Sequence, residues 1–238
     1  MIKVGCCGFP VRREIYYQTF RVVEVQQTFY KLPRISTARA WREEAPPDFE
    51  FTMKAWQLIT HEPSSPTYRR LGTEIPEKKR KDYGFFKGTE EVEAAWARTA
   101  EFATALSAKK ILFQSPASFY PSEEHIRNLK QFFKRIGNLP FTYIWEPRGQ
   151  WERPEVEKIC TSLGIIPCLD PFGGTSVRGD LLYARLHGRT GYRYRYSEEE
   201  MKELIRTGEK YPNAYLMFNH VHMYEDGRRL KELLEQEG

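Results

Sequence analysis

Eight short apolar runs, each divided from the next by a helical stretch or a loop, constrain this chain more than any other feature. They cover residues 3–6, 21–26, 50–54, 109–114, 141–146, 165–170, 181–187 and 214–219. Each is rich in β-branched or aromatic residues and has the length of a buried strand. Continuous apolar runs, rather than strict alternation, favour a parallel sheet covered on both faces. Between them, residues 89–106 place Val92, Ala95, Trp96, Thr99, Phe102, Ala103 and Leu106 on one helical face. Ser122 followed by Glu123 and Glu124 starts a second helix, with acidic groups at the positive helix end. Pro154 and Gly164 bracket a third, Ser197 with Glu198, Glu199 and Glu200 opens a fourth, and residues 221–235 form the last. Shorter helices are expected at 12–18 and 36–43. Strand and helix alternating eight times in 238 residues predicts the α/β class, a (β/α)8 TIM barrel, as one domain spanning 1–238.

Two connections break the rhythm. Residues 171–180 contain Gly173, Gly174 and Gly179, so no full helix is expected between strands six and seven. Residues 57–88, after strand three, form a long charged insertion with Pro63, Pro66 and Pro76, read as either a lid or a solvated excursion.

Composition bounds the rest. An apolar fraction of 40% is too high for a disordered chain, and no run of about 18 apolar residues offers a membrane span. The first residues lack a signal-peptide pattern, so a soluble, cytoplasmic protein with no membrane partner is expected. Four cysteines without CxxC spacing argue against a disulfide scaffold or a structural zinc site. There is no GxSxG elbow, P-loop, post-strand GxGxxG or HExxH. No metal ligands and no cofactor are assigned. A net charge of +5 is compatible with an anionic partner.

The chemistry collects at the strand ends, where a barrel carries its active site. Glu24, Gln26, Lys54, Gln114, Glu146, Asp170, His187 and Asn219 stand there, and period two puts Arg185 on the side of His187. Ionised groups inside a core are costly unless paired, so packing alone rarely keeps them there. Glu24, Lys54, Glu146, Asp170 and His187 are the catalytic candidates. Gln26, Gln114, Arg148, Arg185 and Asn219 are candidate substrate contacts. Asp170 is expected to orient His187 as an acid–base pair; the competing reading is a satisfied buried histidine. Cys6 and Cys7 read as packing rather than nucleophiles. After strand seven, residues 188–196 interleave Arg189, Arg193 and Arg195 with Tyr192, Tyr194 and Tyr196. This loop is an expected anion site through Arg189, Tyr192 and Arg193. Its competing reading has the arginines pairing with Glu198, Glu199 or Glu200.

The chain resembles the YecE-like family, also called domain of unknown function 72. The resemblance is carried by residues 24–30 (EVQQTFY), 51–54 (FTMK) with 58–61 (LITH), 113–116 (FQSP), 145–148 (WEPR) with Trp151, 185–188 (RLHG), 194–197 (YRYS) and 218–219 (FN). The motifs run in order across nearly the whole chain. The resemblance implies a TIM-barrel fold and carries the family's pocket onto Glu24, Lys54, Gln114, Glu146, Arg148, Asp170, His187 and Asn219. Residues 5–9 (GCCGF) depart from the family's Gly-Thr-Ser-Gly-Trp, Gln26 and Gln27 stand for Asn-Ser, and His220 stands for a second Asn.

Two functions follow. One is an enzyme with a polar pocket acting on a small polar or anionic substrate, phosphate- or sugar-bearing. The other is a nucleic-acid-binding protein using residues 188–196 and the 57–88 insertion, with arginines on phosphates and tyrosines on bases. No oligomeric state is assigned.

Overall fold

The computed structural model describes residues 1–173 and 179–237. Eight parallel strands with helices between them form the (β/α)8 TIM-barrel class of α/β fold. The strands are β1 Ile2–Cys7, β2 Val22–Val25, β3 Glu50–Lys54, β4 Lys110–Gln114, β5 Thr142–Glu146, β6 Ile166–Pro167, β7 Leu181–Leu186 and β8 Asn213–Phe218. The helices are α1 Arg13–Thr19, α2 Gln27–Tyr30, α3 Ile35–Glu44, α4 Gln57–Thr60, α5 Glu90–Leu106, α6 Glu123–Ile136, α7 Arg153–Leu163, α8 Glu198–Glu209 and α9 Met223–Glu237.

Helix starts follow the capping chemistry of the sequence. Ser122 Oγ accepts from the His125 amide, and Ser197 with Glu200 closes a reciprocal capping box. Helix α5 buries the same seven residues that its 3.6-residue period selects. Strand β6 is shorter than expected. Pro167 has no N–H to donate, and the ladder stops there, which leaves Asp170 three residues beyond the strand. Between β6 and β7 the described residues hold one 3-10 turn, Pro171–Gly173. Residues 174–178 of this glycine-rich connection, expected to hold no full helix, lie outside the described residues.

The chain packs as two compact units: Met1–Val25, Ala45–Phe51 and Cys168–Gly238 in the first, and Gln26–Glu44 and Thr52–Pro167 in the second. In the first, β1 pairs with β2 and β8, and β8 with β7. The buried Tyr16 hydroxyl ties the first pair, accepting from the Cys6 amide at 2.8 Å and donating to the Val22 carbonyl at 2.9 Å.

In the second unit, β3 pairs with β4, β4 with β5 and β5 with β6. Phe86, Phe113, Phe132 and Phe133 pack ring on ring beneath this sheet, with Trp96 against Phe113 and Phe132. The insertion 57–88 is stitched down at both ends. Gly84, Phe85 and Phe86 all have positive φ, at 79°, 53° and 55°, an arrangement costly for two phenylalanines. Their amides bond the carbonyls of Leu58, Thr60 and Ile59 at 2.9, 3.3 and 2.9 Å, and the Phe86 ring is fully buried. Hydrogen bonding and aromatic burial together offset the strain.

Gly84 is required twice over, by its φ and by contact. A methyl added there would stand 2.4 Å from the His61 carbonyl carbon and oxygen. Gly84→Ala should therefore lower the urea unfolding free energy by about 3 kcal/mol. Gly164→Ala, with φ of 65° and nothing within 4 Å of the new methyl, should cost about 1 kcal/mol. Equal losses would place the cause in backbone conformation alone.

Candidate functional site

In the second unit, three strand-end residues are brought together. Lys54, 6% exposed at the end of β3, donates from Nζ to Gln114 Oε1 of β4 at 2.5 Å. Its ammonium also lies 3.6 Å from the centroid of the Phe29 ring, a cation–π contact in a desolvated place. The Thr28 hydroxyl donates to the Lys54 carbonyl at 2.7 Å, so α2 anchors the end of β3. Gln114 is in register with Glu146 of β5. Glu146 is 5% exposed and meets Arg148 Nη2 at 2.8 Å, while the arginine is half-exposed. Trp145 and Trp151 brace this end, with Trp145 Nε1 donating to Ser115 Oγ and Trp151 Nε1 to the Phe119 carbonyl. Gln26, half-buried, sits at the start of α2.

His61 belongs to this cluster, and sequence reasoning had placed it only within a motif. It is 6% exposed and packs edge-on to Phe29 at 4.9 Å between centroids. Burial and the positive charge of Lys54 push its pKa down to about 3. The signal in the sequence was its position, seven residues past Lys54 at the close of a short apolar turn.

In the first unit, buried charge is arranged as a ladder along one face of the strands. The fully buried Glu24 of β2 meets Arg185 Nε of β7 at 3.2 Å and accepts from the Tyr183 hydroxyl at 2.7 Å. Tyr183 stacks on Tyr215 at 5.8 Å between centroids, and the Tyr215 hydroxyl donates to Glu50 at 2.6 Å. Glu50 also pairs with Lys3. The in-register positions Lys3, Tyr215 and Tyr183 account for this row. Tyr183 was legible from period two, since it lies two residues before Arg185 on the same side.

His187 and Asn219 follow β7 and β8, and the Asn219 amide nitrogen lies 3.1 Å from His187 Nδ1. With that amide donating, Nδ1 is the acceptor and the neutral ring carries its proton on Nε2. Asp170 is corrected in place: it is exposed in the loop after β6, where its Oδ1 accepts from the Phe172 amide at 3.0 Å.

The 188–196 loop is also corrected in part. Arg189 pairs with Glu200 at 3.3 Å and lies over the Phe172 ring, so the helix-start reading holds for this residue. Arg195 pairs not with the helix start but with the buried Asp226, at 3.7 Å. Tyr194 donates to Glu200, and the Gly188 amide donates to the Tyr196 hydroxyl. Arg193 is exposed, with no ion-pair partner among the described residues. Residues 190–195, including Tyr192 and Arg193, line an open surface hollow of about 520 Å³.

The cysteines are buried, and burial pushes the Cys6 and Cys160 thiols up, so both stay protonated and unreactive. Among the described residues, no group of three or more His, Cys, Asp or Glu side chains is placed to hold a metal ion. None of the described helices is long and apolar enough to cross a membrane.

Two measurements check these energetics. Arg185→Met strands a buried carboxylate and should cost about 3–5 kcal/mol in urea unfolding. The double change Glu24→Gln with Arg185→Met should cost less than the single one, and the reverse order would contradict the pairing. His61 is neutral in the folded protein down to about pH 3, while the unfolded chain binds its proton near 6.5. The unfolded state therefore holds more protons between those values, and stability falls as pH drops from about 6.5 toward 3. His61→Gln should flatten that fall, by up to about 1.4 kcal/mol per pH unit. An unchanged slope would mean the ring is protonated in the folded state.

Comparison with known proteins places the chain in a family. The curated UPF0759 protein YunF of Bacillus subtilis is 22% identical over 94% of this chain and 86% of its own length. A crystal structure of a DUF72 family protein from Thermotoga maritima has a TM-score of 0.73 at 22% identity, covering 99% of each chain. One from Enterococcus faecalis has a TM-score of 0.75 at 17% identity, covering 99% of this chain and 98% of its own. The family model described as "Protein of unknown function DUF72" matches residues 10–238, and the chain belongs to that family.

Proposed function

We propose that this chain is an enzyme acting on a small polar or anionic substrate, phosphate- or sugar-bearing, with the polar residues at the strand ends as its working groups. The observation that carries the reading is the pair of buried charged side chains, Lys54 and Glu146, on either side of Gln114. A buried ammonium costs several kcal/mol of desolvation, and a site that meets an anion recovers it when the substrate arrives. Lys54 stabilises negative charge on the substrate, and Gln114 holds its ammonium in place. Glu146, tempered by Arg148, is the proton-transfer group of the second unit.

In the first unit, Glu24 is a further candidate carboxylate, held by Arg185 and the Tyr183 hydroxyl. His187, oriented by Asn219, is a further proton-transfer candidate, with Asp170 in the adjoining loop. Arg193 and Tyr192 offer an exposed anion contact in the 190–195 hollow. The nucleic-acid reading is less favoured, because several of its basic residues are engaged within the chain. Lys79 pairs with Glu91, Arg80 with Glu77 and Arg189 with Glu200.

A thermal-shift panel of ribose 5-phosphate, glucose 6-phosphate, inorganic phosphate and acetate tests the reading. At about 100 times Kd a bound ligand stabilises by about 2.7 kcal/mol, a rise of a few degrees in Tm. At least one member should produce that rise in the native protein and lose it in Lys54→Met. No shift with any member, or an equal shift in both proteins, would overturn the assignment.

A further inference from the structure

The histidine that closes α4 is held more tightly than packing requires. Its amide donates to the Gln57 carbonyl at 2.8 Å, and its carbonyl accepts from the Tyr68 hydroxyl at 2.7 Å. Gly84 lies so near the same carbonyl that an added Cβ would stand 2.4 Å from it, at the head of the strained turn through Phe85 and Phe86. The ring stands edge-on to Phe29, whose face carries the Lys54 ammonium.

The protonation of that ring follows from its neighbour. Thr60 is 1% exposed, and the partner of its hydroxyl is His61 Nδ1, at 2.8 Å. If Nδ1 carried the ring proton, it would donate to Oγ1 and leave the threonine proton buried with no acceptor, at a cost of about 1–3 kcal/mol. The reverse arrangement satisfies both groups: the threonine hydroxyl donates, Nδ1 accepts, and the neutral ring holds its proton on Nε2. That N–H has no described hydrogen-bond partner in a side chain that is more than nine-tenths buried. His61 Nε2 is not among the fully buried side-chain atoms that lack a partner, so this donor reaches the surface beside the buried lysine and is open to a ligand.

We propose that His61 Nε2–H and the Lys54 ammonium form a subsite for a small oxyanion, a carboxylate or a phosphate group of the ligand. The two donors differ in kind. Lys54 supplies full charge, whereas the neutral imidazole supplies a directed hydrogen bond without repelling the lysine. The subsite rests on the function proposed above, since it names the group of the substrate that Lys54 meets. Among the described residues, the charged or titratable groups at this histidine are Lys54 from β3, the Tyr68 hydroxyl on its carbonyl, and the adjoining Glu62, whose carboxylate is held by Lys87. An anion seated on Lys54 offsets one of the two causes that keep the ring neutral, so its arrival raises the basicity of His61.

Nitrogen-15 NMR of the imidazole tests the tautomer without any ligand. Between pH 5 and 8 the native protein should show a neutral ring protonated at Nε2; a ring protonated at Nδ1, or an imidazolium, would overturn the proposal. Titration with inorganic phosphate and, separately, acetate should then move the Nε2 resonance with at least one of them, and which one does so identifies the anion class. His61→Phe keeps the ring volume without the donor and should weaken that binding about tenfold, the value of one hydrogen bond to a charged group. His61→Gln, whose amide can reach the Nε2 position, should bind within a few-fold of native. Native-like affinity in His61→Phe, or no response of Nε2 to either anion, would contradict the subsite. If a Lys54-dependent thermal shift persists in that case, the proposed function stands and the histidine's part in it falls. Should His61→Phe fail to fold, the native titration and His61→Gln still decide the matter.

Discussion

Buried charge needs a partner, and that requirement organises this molecule. A parallel strand buried on both faces should be apolar throughout, yet β2, β3, β5 and β7 carry Glu24, Lys54, Glu146 and Arg185 below 7% exposure. Each has a counter-group fixed by strand register or by the first residues after a strand: Tyr183 and Arg185 for Glu24, Gln114 for Lys54, Arg148 for Glu146. Such groups add little net stability compared with apolar residues of the same volume. Their place at the C-terminal ends of parallel strands is where this fold carries chemistry. Lys3 and Glu50, at the opposite ends of their strands, are half-exposed and read as structure.

The fold was legible because its signals are local and repeated. Apolar runs of strand length, serine and threonine caps and a clean helical face in α5 each point to the same alternation, and agreement across levels is what makes a pattern reliable. The weak points were also local. Residues 165–170 look like a full strand, but a proline in third position removes the donor that the ladder needs, so Asp170 moved from strand end to exposed loop. The arginines of 188–196 could be read as free or paired. Their sequence could not decide it, because Asp226, which takes Arg195, lies thirty-one residues further along on α9.

The site divided in the same way. Strand-end positions were read from spacing alone, since period two and parallel pairing fix which side and which end they occupy, and Asp170 fell outside because its strand stops at Pro167. His61 and Phe29 were harder. Neither stands on a strand, and their approach to Lys54 depends on how α2 and the 57–88 insertion fold back, with Gly84, Phe85 and Phe86 in a conformation that no propensity scale anticipates. Strain of this kind persists only where surrounding contacts over-determine it. Here it immobilises the backbone of the histidine whose open donor stands beside the buried lysine.

The central claim is that the ammonium of Lys54 is kept buried in order to meet an anion. A crystal structure grown in inorganic phosphate tests it most directly. The account predicts phosphate density with an oxygen about 2.8 Å from Lys54 Nζ, the length of a charge-assisted hydrogen bond. Phosphate bound only in the 190–195 hollow, with no phosphate oxygen at the Lys54 ammonium, would contradict it.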